Sequence, residues 1–336
     1  MLAGAWRHAR AGLAAVLALG APVAGWTADA SAVREPRSDA EWLQAIQDAA
    51  RHQSFSGTIV YQRGDEVHAS RVVQSYDGTE LRERVLTLDG QQREFIRTGD
   101  EVQCLYPQLH RIVVEHGAAR AFPSLADTQP ADVLAHYEVR RQGSERVAGR
   151  NCNVLELAPR DKFRYGYRLC VEPASGLLFK AQTLDTARAV LEQIAFTDVR
   201  VGEPIDPARL KASWSTAGWT TERQQSRTTQ LRQHGWSITA PSGFRRLAEV
   251  VRHLVGAGDS APRPALQAVY SDGLATVSVF IEPGAPLLEK PEAPQQRGPV
   301  TAFSRQVGDT RVTVVGEVPP STVRSIAESV VHTPPP

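Results

Sequence analysis

From Phe55 to Val201 apolar residues recur at alternate positions, a period that one face of a strand can bury and one face of a helix cannot. Runs at Phe55 to Gln62, Val67 to Ser75, Glu80 to Leu88, Arg93 to Arg97, Val102 to Tyr106 and Arg111 to Val114 carry the pattern first. Asp77-Gly78, Asp89-Gly90 and Gly99-Asp100 lie between runs. Such pairs favour tight turns, so neighbouring runs are predicted to pair antiparallel as a meander. Phe122-Pro123 and Gln129-Pro130 then interrupt the chain, and Ala131 to His136 is a short helical candidate. Strands resume at Tyr137 to Gln142, Arg146 to Val147, Asn153 to Leu157, Tyr165 to Val171, Leu177 to Thr183 and Leu191 to Val201. A sheet this long has to curl around its apolar face, on which Leu155, Leu157, Tyr165, Tyr167 and Leu169 are expected.

One helix precedes the sheet. Ser38 and Glu41 form a capping-box pattern, and Trp42, Leu43, Ile46 and Ala49 share one face of a helix predicted over Asp39 to Arg51. Within the sheet, Glu80, Arg82 and Arg84 alternate with Leu81, Glu83 and Val85. Exposed antiparallel faces commonly carry such charges, so the expectation is a solvated face with cross-strand ion pairs worth under about 1 kcal/mol each.

Residues 1–30 read as a secretory signal peptide: Arg7 and Arg10, an apolar run from Ala11 to Ala24, then the small residues Ala28-Asp29-Ala30. The apolar run is short for a bilayer span, which takes about 20 residues. Cleavage after Ala30 removes two of the 38 Lys and Arg and one of the 37 Asp and Glu, leaving the exported chain with no net charge. Nothing in that balance favours a nucleic-acid partner. Three cysteines then sit in an oxidising compartment, Cys104, Cys152 and Cys170. Symmetric pairing of a hairpin about Asp161 sets Cys152 opposite Cys170, near enough for a disulfide, and leaves Cys104 as a small buried hydrophobe or a link between chains. No C-x-x-C motif or His at ligand spacing points to a metal.

Beyond Pro207 the composition turns polar. Residues 207–233 read as a linker, with Trp214 and Trp219 its only aromatic side chains. A second β-rich region follows. Val300 to Gln306 and Thr310 to Val315 make a hairpin, and Pro319-Pro320 opens a helix with Val323, Ile326, Ala327 and Val330 on one face. Pro283 to Pro299 reads as a long loop, and the tail after His332 as disordered. Catalytic signatures are missing: there is no G-x-S-x-G, H-E-x-x-H or P-loop, and Pro262 and Pro264 forbid the helix that the Gly-rich stretch from Gly256 would need as a dinucleotide fingerprint. The expectation is a binding protein without cofactor or enzymatic activity.

Three segments narrow that class: Trp236 to Phe244 (W-S-I-T-A-P-S-G-F), Ala268 to Glu282 (A-V-Y-S-D-G-L-A-T-V-S-V-F-I-E) and Val312 to Pro320 (V-T-V-V-G-E-V-P-P). In order and spacing they resemble the C-terminal domain of the RseB/MucB family of periplasmic regulators of the envelope-stress sigma factor. Phe55 to Tyr61 (F-S-G-T-I-V-Y), Asp77 to Arg84 and Phe196 to Val199 carry a thinner resemblance to its N-terminal domain, which is similar to periplasmic lipoprotein carriers. The implied fold is mainly β (α+β): a large unclosed antiparallel β-barrel with covering helices over 31–206, a linker, and a smaller antiparallel sheet with a C-terminal helix over 234–332. Phe244 to Leu254 has helical spacing, whereas the resemblance implies a strand paired with Ala268 to Tyr270.

The resemblance also implies a function. A family member binds the periplasmic region of an RseA/MucA-type anti-sigma factor, shields it from proteolysis and releases it on lipidic signals such as lipopolysaccharide. On that basis Trp236, Phe244, Tyr270 and Phe280 are candidate partner contacts, although most apolar residues there should be core. Tyr61, Leu105, Leu155, Tyr167 and Leu169 are candidates to line an acyl-chain site. A lipid or lipoprotein carrier is the alternative, and a homo-oligomer is compatible with either.

Overall fold

The computed structural model describes residues 37–116, 129–223, 226–254, 263–285 and 293–333. The signal-peptide segment, the chain end after Thr333 and part of the predicted 283–299 loop lie outside them. Helix α1 (Asp39–His52) starts as its capping box predicts: Ser38 Oγ accepts from the Glu41 amide and the Glu41 carboxylate accepts from the Ser38 amide. A meander follows: β1 (Phe55–Arg63), β2 (Glu66–Tyr76), β3 (Leu81–Thr87), β4 (Glu94–Thr98), β5 (Glu101–Tyr106) and β6 (Arg111–His116). Helix α2 (Pro130–His136) leads into β7 (Tyr137–Val147), β8 (Arg150–Pro159), β9 (Gly166–Val171), β10 (Leu178–Leu184) and β11 (Val190–Val201).

With one more, β12 (Thr220–Arg223), these eleven strands form one sheet of twelve in the order β12-β6-β5-β4-β3-β2-β1-β11-β10-β9-β8-β7, with free edges, so the barrel is not closed. Its outermost member, β12, pairs parallel with β6 and comes from the stretch expected to be linker. Trp214 and Trp219 account for this return, because both pack on the buried Leu105, Ile112 and Val114. Two indole rings recover enough apolar burial to order a polar segment.

The remaining elements are β13 (Arg227–Thr228), β14 (Trp236–Ser237), β15 (Arg245–Leu254), β16 (Arg263–Ser271), β17 (Thr276–Pro283), β18 (Gln295–Arg297), β19 (Val300–Val307), β20 (Thr310–Gly316), α3 (Pro320–Glu328) and β21 (Val331–His332). Seven of the strands make a second antiparallel sheet, ordered β13-β15-β16-β17-β20-β19-β18. Segment 245–254 is therefore a strand, paired with β16. Its helical spacing loses to the ladder bonds a neighbouring edge offers. Strand β18 lies inside the predicted loop and pairs with β19. Helix α3 lays Val323, Ile326 and Ala327, all fully buried, on this sheet against Val277, Val279, Val312 and Val314.

Cys152 and Cys170 are disulfide-bonded, with Cα atoms 5.3 Å apart. The register differs from the predicted one. Strand β8 sets Val154, not Cys152, opposite Cys170. Because the offset is two residues, both sulfurs stay on the same face and the bridge runs diagonally; an offset of one would have put them on opposite faces. Cys104 is a half-buried free thiol whose pKa burial pushes up.

The charged face on β3 is only partly solvated. Arg82 and Glu80 pair in solvent, but Arg84 pairs with the fully buried Glu94, which also accepts from Ser213 of the chain crossing above it.

The two sheets meet at a seam built by an exchange of turns. The β16–β17 turn carries Leu274 into the barrel's cluster of Trp42, Leu43, Tyr137 and Leu157. In return, the β8–β9 loop sends Phe163 onto the core of the small sheet. Asp272 sits at the crossing. Its Oδ1 accepts from the Leu274 and Ala275 amides at 3.0 and 2.9 Å, and its Oδ2 accepts from Tyr137 Oη at 2.9 Å. Arg164 Nε lies 2.9 Å from the same Oδ2, both side chains fully buried. That guanidinium also reaches Asp161 and the Ser242 carbonyl, and covers the Phe244 ring at 4.8 Å. Gly243 is required here: at φ +85° a Cβ would come within 2.4 Å of Arg164 Nη2 and 2.3 Å of His136. Ser321 and Thr322 at the start of α3 donate to the carbonyls of Lys162 and Phe163, closing the seam from the other side.

A buried ion pair gains little over an apolar replacement, but stranding one partner costs about 3–5 kcal/mol. Asp272→Asn is accordingly expected to lower the urea-unfolding free energy by about that much. The double change Asp272→Leu with Arg164→Met should cost less than Asp272→Asn alone; an additive or larger loss would show that the pair is not the lock.

A second carboxyl at the seam titrates abnormally. Glu317, between β20 and α3, has its pKa raised by burial first and by the charge of Glu192 second. Glu192 on β11 is held by Tyr61 Oη at 2.8 Å and Thr183 Oγ1 at 3.1 Å. Tyr61 and Tyr167 feel the Glu317 charge as well, and burial is the main cause of their own raised pKa values. A carboxyl whose folded pKa lies above its unfolded value stabilises fully below the ordinary 4.5, and that stability is lost as pH rises through the folded value. Glu317→Gln should therefore melt with the wild type below pH 4.5 and about 2 °C above it at pH 7. An equal or lower melting temperature at pH 7 would contradict the placement of an uncompensated carboxylate there.

Candidate functional site

Two concavities mark the surface around the seam. The first is an apolar cavity of about 180 Å³ on the concave side of the barrel. Helix α1 roofs it with Ile46, Ala49 and Ala50; Phe55, Ile59, Val72 and Val85 come from β1 to β3, and Phe179, Ala181, Ile194 and Phe196 from β10 and β11. The alternation of these strands puts their apolar set inward, and T-shaped contacts of Phe196 with Phe55 and Phe179 fix one wall. For scale, a dry apolar cavity of about 150 Å³ admits benzene. This one is slightly larger.

The second is a cleft of about 1370 Å³ between the barrel rim and the small sheet. On one side stand Arg51, His52, Tyr76, Glu80, Asp100, His116 and Asp132; on the other, β15 contributes Arg245 to Ala248, Val250 and Arg252. Gln267, Ser278 and Thr276 are further lining residues, with Gln267 donating to Ser278 Oγ at 3.0 Å. The lining is polar and of mixed charge, with Arg245 bonded across to Asp132 at 2.6 Å. Leu247, 65% exposed, is the exposed large apolar side chain among the lining residues. It sits at the register shift between Arg246 and Ala248, which releases it from the regular alternation. His136, close by the lock, has its pKa lowered by burial and then by the charge of Arg164. Among the described residues no group of three His, Cys, Asp or Glu is placed to hold a metal, and no helix is long and apolar enough to cross a membrane.

The residues singled out from sequence fall as follows. Trp236, Phe244 and Tyr270 are in the core of the small sheet, at 4, 7 and 5% exposure, and have no side-chain surface to offer a partner. Phe280 is half-buried and shares the face of Thr276 and Ser278, the open side of β17. Leu155, Tyr167 and Leu169 fill the barrel's packed cluster beneath α1 and α2 rather than its cavity. Leu105 lies under the two tryptophans at the far edge of the sheet, and Tyr61 points to Glu192 at the seam. None of the five lines the 180 Å³ cavity. The inward parity was right for Leu155, Tyr167 and Leu169, but their stretch of the barrel is where Leu274 and the helices fill the interior. Leu247 was missed because an isolated Leu in an Arg-rich strand has no sequence signal for exposure.

Comparison with known proteins agrees with this architecture over nearly the whole described chain. The family models for the MucB/RseB N-terminal domain and C-terminal domain match residues 38–214 and 230–331. The sigma factor AlgU regulatory protein MucB of Pseudomonas aeruginosa is 32% identical over 299 residues, covering 86% of this chain and 90% of that protein. The sigma-E factor regulatory protein RseB of Haemophilus influenzae is 26% identical over 258 residues, 74% of this chain and 76% of that one. Among solved structures, the complex of Pseudomonas aeruginosa MucA and MucB superimposes with a TM-score of 0.69 at 30% identity, covering 88% of this chain and 99% of that one. A crystal structure of MucB gives 0.62 at the same identity and coverage. The matches over each half and the shared identity along most of the chain place this protein in the MucB/RseB family.

Proposed function

We propose that this protein is a periplasmic regulator that holds the periplasmic segment of a membrane-spanning, MucA-type anti-sigma factor and shields it from proteolysis, keeping the sigma factor's stress response off. The observation that carries this is the 1370 Å³ cleft, in a chain 30% identical along most of its length to a protein solved together with MucA. Its walls are held at fixed separation by the Arg164–Asp272 lock, so the cleft is preorganised and little ordering cost falls on binding. Its mixed charges suit a polar peptide whose few apolar residues anchor on Leu247 in the cleft and on Phe280, further along the Thr276 and Ser278 face of β17. The division of the exported chain into a barrel over 31–206, a connecting stretch over 207–233 and a partner-binding domain over 234–332 belongs to the same proposal, as does the absence of catalysis.

Release is assigned to a lipidic signal, an acyl chain received by the apolar cavity beneath α1, where each buried methylene contributes about 0.8 kcal/mol. The cavity also keeps the lipid-carrier alternative in view.

Titration of the exported chain with the periplasmic segment of its host's MucA-like protein tests the central role. Micromolar or tighter binding is expected, weakened at least tenfold by Leu247→Asp, a change at an exposed position that leaves the core untouched. Undiminished binding by Leu247→Asp would remove the cleft as the contact. No binding by the wild type would remove the regulator and leave the carrier.

A further inference from the structure

The apolar cavity and the cleft are separated by a wall one side chain thick. Leu81 and Arg97 line both. Each is buried, at 9 and 8% exposure, and Arg97 is the cation of that wall. Strands β3 and β4 set Glu83 directly opposite Arg97, with the guanidinium Nε 3.7 Å from Glu83 Oε2. Leu81, Glu83 and Val85 alternate onto the inner face, so the pair stands inside the barrel among apolar groups and not on its solvated outside. A buried guanidinium needs an anion beside it, and Glu83 supplies one at 15% side-chain exposure.

We infer that, if cavity and cleft bind as proposed above, Glu83 and Arg97 gate the passage between them and select an anionic amphiphile. The chain passes Leu81 into the cavity while its negatively charged headgroup stays at the wall and takes over Arg97 from Glu83. No covalent step is involved; one carboxylate partner is exchanged for another anion, and Glu83 turns to the water of the cleft. Planar guanidinium donors bind carboxylate and phosphate alike, so charge and chain length define the ligand class. Because Arg97 also lines the cleft, a headgroup held there reshapes the surface on which the peptide would rest. Ligand and peptide then weaken each other by the same factor.

Calorimetric titration with dodecyl phosphate, dodecyl maltoside and inorganic phosphate, each below micelle formation, tests the gate. The wild type is expected to bind dodecyl phosphate about tenfold or more tightly than the maltoside, with inorganic phosphate alone too weak to measure. Arg97→Met should abolish that preference while still binding the maltoside, Arg97→Lys should keep most of it, and Glu83→Gln should strengthen dodecyl phosphate binding. The double variant Glu83→Gln with Arg97→Met strands no buried charge and must also lack the preference. Retention of the preference by Arg97→Met or by the double variant, weaker anion binding by Glu83→Gln, or inorganic phosphate binding as tightly as dodecyl phosphate overturns the gate. The cavity itself is reported separately by Ala50→Phe, which lies on its roof one helical turn after Ile46 and fills it. If that variant binds both dodecyl compounds unchanged, or the wild type binds neither, the acyl site fails and the gate with it.

Discussion

Arg164 and Asp272 come from different sheets and have no exposed side-chain surface. Desolvating both charges is costly, and the cost is offset only where each lies against the opposite charge and further polar groups. That requirement brings the β8–β9 loop, the β16–β17 turn, Tyr137 at the end of α2 and the Ser242 carbonyl to one point. Apolar exchange supplies the bulk of the adhesion, with Leu274 in the barrel and Phe163 on the small sheet. The ion pair supplies the geometry, because a slide of one sheet against the other would separate charges that have nowhere else to go. The disulfide lies in the same β8–β9 hairpin and holds the strands that present Arg164.

Much of the architecture could be read from residue order. The capping box, the period-two runs and the Asp-Gly turns correspond to α1 and the meander, and the last helix has the face its Val and Ile spacing predicts. What failed to show were pairings between distant segments. Ser271-Asp272-Gly273 has the composition of an ordinary hairpin turn, and nothing local marks its aspartate as a buried counter-ion for a loop more than a hundred residues earlier. Arg164 in a loop reads as solvated. Its burial follows only from the docking of the second sheet.

The candidate site was less legible than the fold, for a related reason. Alternation tells which side chains point inward, and Leu155, Tyr167 and Leu169 do so. It does not tell which inward part of a curled sheet is filled by another element and which is left open. Leu274 and the helices fill one part, and the cavity remains beside it, between α1 and β1 to β4 with β10 and β11. Likewise Trp236, Phe244 and Tyr270 are strong anchors by residue type, but seven strands and a helix need a core of their own, and these residues form it. Glu83 looked like one member of a solvated charge stripe, yet it faces the cavity opposite Arg97.

A rigid seam beside an open polar cleft is what a protein needs to hold an extended segment without reorganising. Hydrogen–deuterium exchange of the exported chain, with and without the periplasmic segment of its host's MucA-like protein, addresses that arrangement directly. Slowed exchange is predicted along Arg245–Leu254 and at the facing rim turn around Gly99, with the seam residues near Arg164 equally protected in both states. Protection confined to α3 or to the outer strands, with the cleft unchanged, would contradict it.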